Sequence, residues 1–110
     1  MTVIVFNNDG MGHADAELRH KLAASYLELL AEDAEPPSAI CFYGSGVKLA
    51  AEGSPVLKQL AALEAKGVPL IICGTCTQHY GLLEQIRVGK VGGMPDIYAA
   101  QHNADKVITL

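Results

Sequence analysis

The 110-residue sequence has no tryptophan, two phenylalanines and four tyrosines. So few aromatic rings argue against a surface that stacks nucleic-acid bases. An excess of positive charge is missing as well. Eight lysines and arginines stand against twelve aspartates and glutamates, a formal net charge of −4, which is the wrong sign for gripping a phosphate backbone. No apolar run approaches the roughly 18–20 residues of a membrane-spanning helix. The opening Met1-Thr2-Val3-Ile4-Val5-Phe6-Asn7 has no basic start and no small-residue cleavage site, so no signal peptide is expected. Three cysteines are an odd and sparse set, unlike a secreted disulfide scaffold. The expectation is a cytoplasmic protein that meets neither nucleic acid nor membrane.

What is present is core-forming material. Half the residues are hydrophobic and 18% are charged, enough to bury an interior, and the length suits one domain over residues 1–110. Thr2 to Phe6 is a β-branched and aromatic run, the pattern of a strand buried on both faces. A polar loop follows, Asn7-Asn8-Asp9-Gly10-Met11-Gly12. From about Asp15 to Asp33 the apolar Leu18, Leu22, Tyr26, Leu29 and Leu30 recur at helical spacing, with acids early for the positive helix end and Pro36-Pro37 as the stop.

Ala39 to Tyr43 reads as a second strand, ended by Gly44-Ser45-Gly46. Ser54-Pro55 reads as an N-cap with proline at the first helical position, opening a helix through Leu57, Leu60, Ala61 and Leu63 to about Gly67. Val68 to Ile72 is a third strand that runs into Cys73-Gly74-Thr75-Cys76, where a short helix starts and continues to Gly81. A strand near Val88–Val91, a helix from about Pro95 to His102 and a strand from Lys106 to Thr109 complete the chain. Strand and helix in alternation predict an α/β domain of three layers: a mainly parallel sheet of about five strands with helices on both faces. In such sheets the working residues occupy loops beyond the strands' carboxyl ends. Those loops hold Asn7 to His13, Gly44 to Gly53, and Cys73 to Tyr80.

Cys73-Gly74-Thr75-Cys76 carries the sharpest chemistry. A cysteine between a strand and a helix sits at the positive end of the helix dipole, where its thiolate is favoured. A second cysteine three positions on can resolve a mixed disulfide, accept a sulfur or ligate a metal. The plainer alternative is two ordinary buried thiols. His79 extends the pattern to C-x2-C-x2-H, but structural zinc wants four ligands and the chain has no second pair, so no metal or other cofactor is expected. The place left to His79 is the helix surface, or a role in tuning the thiols.

A strand-to-helix C-x-x-C also fits thiol–disulfide exchange, although no tryptophan precedes it, and Met94-Pro95 reads as a turn into the next helix. Gly44-Ser45-Gly46-Val47-Lys48 lacks the spacing of a phosphate loop and reads as a connection whose Lys48 brings positive charge near the thiols. Asn7, Asn8 and Asp9 suit turn hydrogen bonds. Cys41, between Ile40 and Phe42, belongs to the core, and His20, between Arg19 and Lys21, to a solvated helix face.

Taken together, Val5-Phe6-Asn7-Asn8-Asp9-Gly10-Met11-Gly12, Gly44-Ser45-Gly46-Val47-Lys48-Leu49 with Glu52-Gly53-Ser54, Leu63-Glu64-Ala65-Lys66-Gly67-Val68, and Cys73-Gly74-Thr75-Cys76 with Tyr80-Gly81-Leu82 resemble the DsrE/DsrF-like sulfur-relay superfamily. Within it, the likeness is greatest to the DsrE-like domain of the YedF type of selenium-metabolism protein. The resemblance implies a small parallel α/β domain, often assembled into trimers or hexamers. It also implies a persulfide on the cysteine that ends the third strand, with a glycine eight residues later, as Cys73 and Gly81 stand here. On that likeness Cys73 is the expected carrier and Cys76 its helper, with Gly74, Thr75, His79, Lys48, Asn8 and Asp9 in support. The expected partner is a protein that gives or takes sulfur or selenium. A dithiol redox protein and a non-catalytic oligomeric ligand-binding module are the alternatives.

Overall fold

A computed structural model describes residues 1–110. Five strands form one parallel sheet: β1 (Thr2–Phe6), β2 (Ala39–Phe42), β3 (Leu70–Cys73), β4 (Lys90–Gly92) and β5 (Lys106–Thr109), in the spatial order β4-β3-β2-β1-β5. The helices are α1 (Ala16–Glu32), α2 (Leu57–Ala65), α3 (Gly74–His79) and α4 (Met94–Asn103), with 3-10 segments at Gly44–Ala50 and Leu83–Gln85. Successive strands from β1 to β4 step in one direction across the sheet. Right-handed crossovers therefore put α1 and α2 on one face, and the long return from β4 to β5 carries α4 over the other. This is the α/β sheet with helices on both faces that the strand–helix alternation predicts.

The central strands explain the apolar runs. Val3, Ile4, Val5 and Phe6 in β1, all of β2, and Leu70, Ile72 and Cys73 in β3 are buried. The register sets Phe6 beside Phe42, and their rings stack with centroids 5.6 Å apart. Cys41 lies in this core, as its apolar neighbours predict.

Several local readings are corrected by tertiary packing. In α1 Ala23 and Leu27 are fully buried and Tyr26 and Leu30 of the expected stripe pack partly buried against the core, whereas Leu18, Leu22 and Leu29 are 44%, 41% and 68% exposed. Four and seven residues apart, these leucines form a second apolar stripe on the side of α1 away from the sheet. Ser54 does not cap α2. Its hydroxyl accepts from the Val56 N–H at 3.2 Å, and the helix begins after Val56, two residues later than the serine–proline pair suggests. The segment Gly44–Ala50 is a 3-10 helix rather than an irregular connection, with Gly46, Val47, Leu49 and Ala50 buried. The third strand starts at Leu70 rather than Val68, because Ile40 pairs first with Leu70. The fourth is displaced to Lys90–Gly92, where it pairs with β3. Pro95 lies in the first turn of α4, and the Asp96 carboxylate accepts from the Gly93 N–H at 2.9 Å just ahead of it.

Candidate functional site

The carboxyl ends of β1, β2 and β3 lie side by side, and the loops leaving them meet. Two contacts fasten them. Ser45 Oγ lies 3.4 Å from Asn8 Oδ1, joining the β1 and β2 loops. The Gly44 N–H donates to Cys76 Sγ at 3.1 Å, joining the β2 loop to α3. Two glycines make this approach possible. Gly44 adopts φ +58°, a left-handed conformation costly for other residues. A Cβ at Gly46 would stand 2.2 Å from the Phe6 carbonyl oxygen, so only glycine lets the 3-10 helix lie against the end of β1.

Cys73 ends β3 and precedes the first residue of α3, with extended backbone at φ −63° and ψ 118°. Its side chain is 1% exposed. Cys76 lies one turn further along and is half-buried, so it is the thiol of the pair that solvent reaches. All three cysteines are free.

Burial raises the Cys76 thiol above its ordinary range, and the hydrogen bond and charge of neighbouring Cys73 raise it further, while the Gly44 N–H pulls the other way. Charge on the neighbouring sulfur therefore opposes ionisation of Cys76. Cys41 stands apart in β2, where burial pushes it up to about 11; a thiol so held is inert.

The supporting residues fall into two groups. Gly74 packs so closely that an added Cβ would be 3.0 Å from the Gly92 carbonyl oxygen, and Thr75 is exposed beside it. Asn8 Nδ2 donates to the Gly12 carbonyl at 3.3 Å, a turn bond as its position suggests. Asp9 Oδ1 accepts from Arg19 Nη2 at 2.9 Å. Lys48 does not reach the thiols. Its Nζ sits over the Tyr80 ring, 4.5 Å from the centroid, with Lys48 four positions beyond Gly44 along the 3-10 helix. His79 is exposed at the end of α3, edge-on to Tyr80.

Three residues were given no role at the site by the sequence alone. Thr77 is the one buried polar side chain, and its hydroxyl donates to the Cys73 carbonyl at 2.7 Å; a threonine four residues after Cys73 is the visible signal. His20 is half-buried and lines a cleft with Asp9, Lys48, Glu52 and Tyr80, rather than facing solvent alone. Tyr80 supplies the ring under Lys48. Neither pairing has a sequence signature, since each joins separate elements. No three His, Cys, Asp or Glu side chains come together as a metal-holding group, and no helix is long and apolar enough to cross a membrane.

Comparison with known proteins agrees with this architecture. The pattern of the DsrE/DsrF-like family matches residues 1–110. Among solved structures, the YchN protein of E. coli is 20% identical, with 100% of this chain and 99% of that one covered and a TM-score of 0.70. MTH1491 of Methanobacterium thermoautotrophicum, a protein of unknown function, is 19% identical over 99% and 97% of the two chains, at a TM-score of 0.72. BT1422 of Bacteroides thetaiotaomicron, a conserved protein of unknown function, is 16% identical over 99% and 94%, at 0.71. At these identities the likeness is one of fold. No curated protein matches the chain significantly.

Proposed function

The chain belongs to the DsrE/DsrF-like family, which is associated with sulfur relay, and from that premise we propose that it carries sulfane sulfur as a persulfide on Cys73 and Cys76. The observation that carries the reading is the Gly44 N–H directed at Cys76 Sγ. A backbone donor aimed at sulfur stabilises negative charge there, the charge borne both by an attacking thiolate and by a persulfide anion.

Accessibility divides the labour. Cys76, half-exposed, is the thiol through which sulfur enters and leaves; Cys73, buried beneath it, is the sheltered holding position. The Cys76 thiolate attacks the outer sulfur of a donor persulfide R–S–SH. The donor's S–S bond breaks, R–S⁻ departs with the electron pair and takes a proton from water, and Cys76–S–SH forms. Cys73 attacks that outer sulfur in turn, which restores the Cys76 thiol. No step changes the total number of electrons, so neither oxidant nor reductant is needed. A protein donor or acceptor and a cytoplasmic, reducing setting suit this chemistry.

Intact mass after incubation with a persulfide donor tests the reading. The parent gains one sulfur atom, Cys76→Ser loads about tenfold more slowly, and Cys73→Ser loads but loses its sulfur quickly to added thiol. Uptake by the double variant equal to that of the parent overturns it. The second reading, a thiol–disulfide couple, is favoured by the placement of Cys73 and Cys76 three residues apart across the start of α3; it predicts loss of two hydrogens that requires both cysteines. The exposed Leu18, Leu22 and Leu29 stripe supports assembly of the chain into a homo-oligomer such as a trimer or hexamer. Light scattering after size exclusion checks it: a monomer at micromolar concentration removes that part of the proposal.

A further inference from the structure

Two segments run side by side from the thiols. The 3-10 helix from Gly44 and the helix α3 are tied at one end by the Gly44 N–H on Cys76 Sγ at 3.1 Å, and at the other by Lys48 Nζ over the Tyr80 ring at 4.5 Å. Gly44 and Lys48 are four residues apart, as are Cys76 and Tyr80, so the two ties are separated by about 6–8 Å at the rise of the two helix types. Beyond the second tie opens a cleft of about 440 Å³, to which Asp9, His20, Lys48, Glu52, Tyr80 and Leu82 contribute. That volume lies in the range of small-molecule sites.

The charges of the cleft are unequally committed. Asp9 is held by Arg19 at 2.9 Å and Glu52 by Arg87 at 2.6 Å. Lys48 enters none of the three ion pairs of the protein. The carboxylates are thus already compensated, and a single ammonium, oriented by the tyrosine face, awaits an anion. One uncommitted cation matches one carboxylate better than a polyphosphate. Half-buried His20 adds a ring nitrogen to the lining, and Leu82 offers apolar surface to a carbon chain.

We propose that this cleft seats the carboxylate of a low-molecular-weight persulfide whose sulfur end reaches Cys76 along the paired segments. The inference rests on the thiol reading above and names the donor it takes: a small carboxylate-bearing persulfide with about 6–8 Å between carboxylate and sulfur. Transfer follows the balanced exchange already given, with the small thiolate as leaving group and its proton drawn from water. Lys48 acts on the carboxylate, so it is a specificity residue for the donor.

The test compares glutathione persulfide with the persulfide of glutathione diethyl ester, which lacks both free carboxylates. Initial loading rates are followed by intact mass on the parent protein, Lys48→Met and Lys48→Glu. The parent prefers the acid over the diester by about tenfold, and this preference collapses in Lys48→Met and reverses in Lys48→Glu. A preference that survives both substitutions, or is absent from the parent, overturns the inference. A second measurement needs no transfer: backbone amide shifts on titration with reduced glutathione. Shifts at His20, Lys48 and Tyr80 that disappear in Lys48→Glu support the seat, and their absence in the parent overturns it. If no donor loads the parent while these shifts persist, the persulfide reading fails and the carboxylate seat stands.

Discussion

Thr77 Oγ1 donates to the Cys73 carbonyl at 2.7 Å, the bond of the single buried polar side chain in the protein to the backbone of the buried thiol. Threonine within a helix readily turns its hydroxyl back to the carbonyl four residues earlier. Here that carbonyl belongs to the residue where β3 becomes α3. The bond satisfies a hydroxyl that would otherwise be buried without a partner, and it fixes the turn on which both thiols are spaced.

Thr77→Val keeps the shape and removes the donor. It is expected to lower unfolding stability by about 1 kcal/mol, with Thr77→Ser retaining most of it, both read from denaturant unfolding. Slower sulfur loading in Thr77→Val than in Thr77→Ser would tie the bond to thiol spacing as well as to stability.

Gly46→Ala tests the approach of the 3-10 helix to β1. The new Cβ would meet the Phe6 carbonyl oxygen at 2.2 Å and its carbon at 2.8 Å, and backbone in a central strand cannot swing aside. Overpacking of this kind costs about 1–3 kcal/mol. A midpoint equal to that of the parent in denaturant would show that the segment has slack. The Gly44 N–H is carried by the same segment, so Cys76 alkylation should change with stability.

The pH dependence of Cys76 follows from the direction of its shift. Its thiol is raised by burial and by Cys73, so its thiolate is the minor form at neutral pH. The rate of Cys76 alkylation, measured in a Cys41→Ala background, should climb about tenfold per pH unit between pH 7 and 8. Cys73→Ala removes the sulfur hydrogen bond and charge but leaves the burial and the Gly44 donor. The inflection then moves to lower pH. An unchanged profile would mean that Cys73 does not hold the Cys76 thiol up.

Cys41 produces a separate effect, on stability at high pH. Its folded pKa is raised from 9.0 to about 11, so above pH 9 the unfolded chain releases a proton that the folded chain keeps. Stability from this group is whole below pH 9 and declines as pH rises toward and through 11, by about 2–3 kcal/mol in all. Denaturant unfolding of the parent and Cys41→Ala at pH 8 and pH 11 isolates it, because other titrating groups cancel in the difference. The parent should lose more stability than the variant over that interval; equal losses would mean that the Cys41 thiol ionises alike in both states.

The strands were legible because short runs such as the β-branched Thr2–Phe6 and the apolar Ala39–Phe42 have few other solutions, and because parallel strands buried on both faces show unbroken apolarity. The place of the thiols was legible too, since a short C-x-x-C between a strand and a helix is local. The faces of α1 were not. Leu18, Leu22 and Leu29 fall on the outward side, while Ala23 and Leu27 are buried and Tyr26 and Leu30 pack against the core. Periodicity gives the spacing of a stripe and not the direction in which it faces. Ser54-Pro55 misled for a related reason: the serine closes a local turn onto Val56, and capping residues and turn residues are the same chemical types.

By itself the sequence determined the α/β alternation, the parallel sheet, and two thiols at the end of the third strand, because each follows from propensity and hydrophobic pattern within a short window. The tertiary structure alone decided that Cys73 is buried and Cys76 reachable, that Gly44 donates to Cys76, and that Lys48 turns from the thiols to the Tyr80 ring. These join residues more than thirty positions apart in the chain. Their geometry depends on how adjacent strands align their ends, which packing of the core sets and no local pattern encodes.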